Sequence, residues 1–123
     1  VAIVNNDHQV RLKGSFPFME EMARLEMVQS LRWVCEAVPS IDTDGSVVKT
    51  IESILHDKRH RNATIHFCNG GDRAPDASSI PEVEFCEQEG IGLKYGFGDD
   101  KTFSSSDLLK NVMLDGHKYL DGV

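Results

Sequence analysis

The chain has 123 residues, enough for one hydrophobic core and not for two. Its net charge of −7 argues against a general nucleic-acid or anionic-membrane surface, since either needs a basic face, so any phosphate site must be local. Cys35, Cys68 and Cys86, an odd number without close pairing, fit reduced cytoplasmic thiols, and no run of about eighteen apolar residues marks a membrane span.

Val1 to Val4 is an unbroken apolar, β-branched run, which predicts a strand covered on both faces. It empties into Asn5, Asn6 and Asp7, followed by Lys13-Gly14, so polar chemistry stands where ligands bind in an open α/β sheet, beyond a strand's carboxyl end. A strand this apolar at a terminus is expected to have a lead-in and a neighbour ahead of Val1. Next, Met22, Leu25, Val28, Leu31 and Val34 recur at three-residue spacing and predict a helix from about Phe18 to Val34. Arg24 and Arg32, eight apart, share an azimuth on it and are able to face one site.

Ala37 to Ser40 predicts a short strand, and Ile41 to Ser46 a polar loop whose Asp42-x-Asp44-Gly45 lacks the downstream glutamate of a calcium loop and reads as a turn. Val47, Val48, Ile51, Ile54 and Leu55 make an amphipathic helix that carries Lys49 and ends in the run His56 to Asn62, a charged helix end rather than a nucleic-acid patch because no aromatic residue interleaves it. Thr64 to Cys68 predicts a strand running into Asn69-Gly-Gly-Asp-Arg73. There Gly70 and Gly71 let backbone approach a ligand, while Asp72 and Arg73 add an acceptor and a phosphate-matching fork. A helix over Pro81 to Glu89 with Gly90 at C′, a strand over Ile91 to Tyr95, and Ser104-Ser105-Ser106 at the mouth of a last helix complete the pattern. Serines there are ordinary caps and also what an anion site uses.

Strand and helix alternate throughout, which predicts an α/β fold with a parallel sheet and a phosphate-bearing ligand at its carboxyl edge. The blocks Val4-Asn-Asn-Asp7 with Leu12-Lys-Gly14, the helix through Leu31-Arg-Trp-Val-Cys-Glu-Ala-Val38, Asn69-Gly-Gly-Asp-Arg73 and Ser104-Ser-Ser106 together resemble the cytidylyltransferase-like nucleotidyltransferases, among them glycerol-3-phosphate and ethanolamine-phosphate cytidylyltransferases and heptose-phosphate adenylyltransferases. The resemblance spans about residues 1 to 110, leaving 111 to 123 as a tail.

It implies a Rossmann-like open parallel sheet with helices on both faces, whose first strand lies ahead of Val1. The implied reaction joins a nucleoside triphosphate, CTP in preference to ATP, to a phosphorylated alcohol or sugar phosphate with release of pyrophosphate, in the cytoplasm and in a homodimer, with Mg²⁺ accompanying the triphosphate. The resemblance assigns Asp7, Lys13, Arg24 and Lys49 to the phosphorylated substrate. It assigns Arg32, Gly70, Gly71, Asp72, Arg73, Ser104, Ser105 and Ser106 to the nucleotide, with Lys13 and Arg32 in catalysis. The family's His-x-Gly-His signature belongs upstream of Val1, and the Gly116-His117 pair has Leu114 where its first histidine would stand. Cys35 replaces the family's usual Asp, and Asp99 and Asp100 stand where relatives carry arginine. A non-catalytic nucleotide or sugar-phosphate binding module is the alternative.

Overall fold

In the computed structural model, which describes residues 1–70, 80–98 and 104–120, the β-branched opening forms β1 (Ala2–Val4). The polar residues after it enter a helix rather than a loop. Asn6 N-caps α1 (Asp7–Leu12), its side chain accepting the Gln9 N–H at 2.9 Å while Gln9 Oε1 accepts the Asn6 N–H at 3.3 Å, a reciprocal capping box. Asn6 Nδ2 also donates to the Ser40 and Asp42 carbonyls, tying the end of β1 to the segment after β2 (Ala37–Pro39).

The helix predicted over 18 to 34 is shorter: α2 spans Glu21–Gln29. Its threefold spacing does not correspond to a buried stripe, since Met22 is 65 % and Leu31 58 % exposed. Short helices hold mainly through a packed apolar face, and this one ends where Gln29 turns the chain back, its amide bridging Cys35 O and Ala37 N–H. α2 packs on β1 and β2, which pair in parallel with Ile3 opposite Val38.

α3 (Val48–Leu55) follows the predicted period, and a short 3-10 helix occupies Lys58–His60. β3 (His66–Gly70) and β4 (Gly92–Phe97) pair in parallel, each displaced by about two residues from its predicted span. Between them α4 (Pro81–Glu89) lies as predicted, with proline in its first turn and Gly90 as a left-handed cap at φ 69°. α5 (Ser105–Leu120) takes in most of the expected tail, including the Gly116-His117 pair.

The described residues thus form a mixed α/β structure whose four strands make two separate parallel pairs, β1-β2 and β3-β4, rather than one continuous sheet. Ile51, Cys86 and Ile91 form the buried centre, with Ile3, Val47, Phe67 and Leu93 packed partly buried around it. No helix among the described residues is long and apolar enough to cross a membrane.

Candidate functional site

A cavity of about 700 Å³ lies between β1 and β3. β1 contributes Val1 to Ile3 and then Asn5, and the chain from Ala63 to Gly70 borders it without interruption. Lys13, just past α1, also borders it. Asn5 follows β1, Asn69 and Gly70 close β3, and Lys13 follows α1, so one part of the expected polar set does share a cavity.

Two buried side chains in this cavity have a polar atom without a partner, Nδ2 of Asn69 and Oε2 of Glu82. They are 7 % and 5 % exposed. The other Glu82 oxygen accepts the Val47 N–H at 2.9 Å, which anchors the carboxylate. A buried donor and a buried acceptor left unpaired each cost free energy. Sequence reasoning passed over both residues. Asn69 stood in the Asn-Gly-Gly-Asp block it singled out, but nothing in the sequence pattern marked Glu82, in the first turn of α4.

Asp7 and Arg24, both assigned to substrate, meet each other. Arg24 Nη1 donates to Asp7 Oδ1 at 2.7 Å, Nη2 donates to the Asn5 carbonyl at 2.6 Å, and Nη1 also reaches the Met19 carbonyl. The guanidinium, helped by a hydrogen bond from the Glu21 backbone, holds the Asp7 carboxyl below the usual aspartate range. Through Asn5 this pair abuts the polar end of the cavity.

Arg32 and Lys49 do not border the cavity. Arg32 is exposed, its guanidinium 4.9 Å from the centre of the Trp33 ring, and Lys49 is exposed with its N–H donating to Asp42. Ser104 is held in a capping box, its Oγ donating to Asp107 Oδ2 at 2.8 Å and accepting the Asp107 N–H at 3.2 Å. The Asp107 carboxylate therefore already supplies negative charge at the mouth of α5. Gly71, Asp72 and Arg73 lie outside the described residues, as do the side chains of Ser105 and Ser106.

The Asp42 loop is a turn, as expected, but its carboxylate is a structural centre. Asp42 is 2 % exposed and accepts from the N–H groups of Lys49 and Thr50 and from the Thr50 hydroxyl, at 2.9, 3.0 and 2.6 Å. Among the described residues no three His, Cys, Asp or Glu side chains converge to hold a metal ion. All three cysteines are free, Cys68 exposed at the cavity and Cys86 buried, where desolvation pushes its thiol pKa up. No family model, curated protein or solved structure matches the chain.

Proposed function

We propose that the chain is a nucleotidyltransferase domain that joins a nucleoside triphosphate, CTP in preference to ATP, to a phosphorylated alcohol or sugar phosphate. The observation that carries this reading is that Lys13 borders the same cavity as Asn5, Asn69 and Gly70. A phosphate oxygen of the acceptor attacks the α-phosphorus in line, the bond to the β-phosphate breaks, and pyrophosphate leaves. The Lys13 ammonium neutralises charge on the phosphoryl groups, and the backbone at Gly70 admits them without a Cβ in the way. Mg²⁺ accompanies the triphosphate in this reading, and no step is assigned to it.

A binding module without catalysis is favoured by a different observation. Asp7 and Arg24 neutralise each other, and Arg32 stacks on Trp33, so Lys13 is the one expected cation among the described residues that borders the cavity. For a homodimer, the support is apolar surface. Leu12, Phe16, Phe18, Met22, Leu31 and Trp33 are all more than half exposed along one stretch of chain, the type of surface that self-association covers.

Pyrophosphate release with CTP or ATP, tested against phospho-alcohols and sugar phosphates, decides between the readings. Release that requires both substrates supports the enzyme. Saturable nucleotide binding without release supports the module, and neither result ends both.

A further inference from the structure

β3 and β4 turn one face to the core and the other outward. Ile65, Phe67 and Leu93 pack against the buried centre, so by alternation His66, Cys68 and Lys94 stand on the opposite face, where all three are exposed. The register sets them in rows, with His66 opposite Gly92 and Cys68 opposite Lys94. In the next row Gly70 lies opposite Phe97, because β4 advances from Lys94 to Phe97 while β3 advances only from Cys68 to Gly70. This bulge, with Gly96 at φ 75°, brings onto the outer face an aromatic residue that plain alternation would have turned to the core. Phe97 is accordingly 52 % exposed.

Cys68 therefore sits at the centre of a small mixed surface. Behind it the His66 ring leans across β4: a Cβ at Gly92 would come within 2.3 Å of the ring's Nδ1, so glycine there makes room for the imidazole. Beside it Lys94, one strand spacing of about 4.8 Å away, forms no salt bridge among the described residues. Ahead of it Gly70 puts no side chain in the row, which leaves the ground between the thiol and Phe97 open. An exposed thiol with a cation at its side is the setting in which cysteines react. The other two differ: Cys35 is exposed but followed by Glu36, and Cys86 is buried.

We propose that Cys68 is a covalent modification site for small disulfides that carry carboxylates. The Cys68 thiol gives its proton to solvent, and the thiolate attacks one sulfur of the disulfide. A new S–S bond forms to Cys68 as the reagent's own S–S bond breaks, and the second sulfur departs as a thiolate. Cys68 is thereby oxidised to a mixed disulfide and the departing half is reduced, so no further oxidant takes part. The Lys94 ammonium attracts the carboxylate, and Phe97 offers an apolar wall to the body of the adduct. The site does not depend on the nucleotide reading, since none of the groups invoked needs a nucleotide in the neighbouring cavity.

The test compares two aromatic disulfides, the dianionic dithiobis(nitrobenzoate) and the neutral dithiodipyridine, on the full chain at low salt. Peptide mass spectrometry follows labelling of Cys68 and Cys35 separately, and the ratio of the two within one sample cancels the reagents' own reactivities. On a chain of net charge −7, an exposed thiol without a cation beside it gains nothing from an anionic reagent. The Cys68-to-Cys35 ratio is expected to be about threefold or more higher with the anionic reagent, the effect of one unit-charge attraction at about 7 Å in water. High salt and Lys94→Gln each remove the preference, and Lys94→Arg, which keeps the charge, retains it. Equal ratios with the two reagents, or a preference that survives Lys94→Gln, overturn the proposal.

Discussion

Arg24 donates to the Asp7 carboxylate at 2.7 Å, and with its second nitrogen it holds the Asn5 carbonyl at 2.6 Å. One guanidinium thus fixes the exit of β1, the start of α1 and, through Met19, the approach to α2. Arg24→Ala strands all of these acceptors, whereas Asp7→Asn removes one charge and keeps a hydrogen-bonding side chain. Thermal unfolding at neutral pH is expected to show a loss on the order of 5 °C for Arg24→Ala and a smaller one for Asp7→Asn. Since the Asp7 pKa is lowered in the folded state, its contribution is complete above the ordinary aspartate value of 3.8 and fades as acid protonates it.

The buried Asp42 carboxylate caps α3 from outside the helix, satisfying the N–H groups of Lys49 and Thr50 and the Thr50 hydroxyl. Asp42→Ala leaves buried donors without partners and is expected to cost about 2–3 kcal/mol in denaturant unfolding. Asp42→Asn, which keeps one acceptor oxygen, loses less.

Arg59 joins Asp57 to Glu36, at 2.7 and 3.1 Å, and so links the 3-10 helix to the residue before β2. Its hydrogen bonds bring the Asp57 pKa down from 3.8 to about 2. The folded value lies below the unfolded one, so this contribution is fully present above pH 4 and disappears as the pH falls through about 2. Acid titration of stability should show a step in that window that is absent in Asp57→Asn and weakened by salt, because the pair is solvent-exposed.

Lys13 and Ser104 separate the cavity from the α5 mouth. Lys13 is exposed at the cavity, so Lys13→Ala is expected to leave the melting temperature within about 2 °C while reducing nucleotide binding or turnover at least tenfold. Ser104 serves the α5 cap, so Ser104→Ala is expected to cost about 1 kcal/mol of stability, with nucleotide binding changed little. Paired melting curves and binding isotherms check both.

How far sequence reached depends on whether the deciding forces were local. Pro81 and Gly90 delimit α4 because a missing N–H and a left-handed φ act at single residues. The same local chemistry was present in Asn6 and Gln9, a capping box, yet the polar run after Val4 looked like a ligand loop because nothing in the pattern forbade one. Spacing alone extended α2 to Val34, but periodicity fixes only which residues share a face, and the exposed Met22 and Leu31 beside the half-buried Leu25 and Val28 show that the face is covered only in part. Asp42 and Glu82 depend on donors supplied by other segments, Thr50 and Val47, and such pairings have no signature along the chain.

Titration of the isotopically labelled chain with CTP, followed by backbone amide shifts, tests the central claim most directly. The account predicts saturable shifts at Asn5, Lys13, Asn69 and Gly70, lost in Lys13→Ala, with Ser104 and Arg32 little moved. Absence of saturable shifts with both CTP and ATP, or shifts confined to residues away from the β1 to β3 cavity, would contradict it.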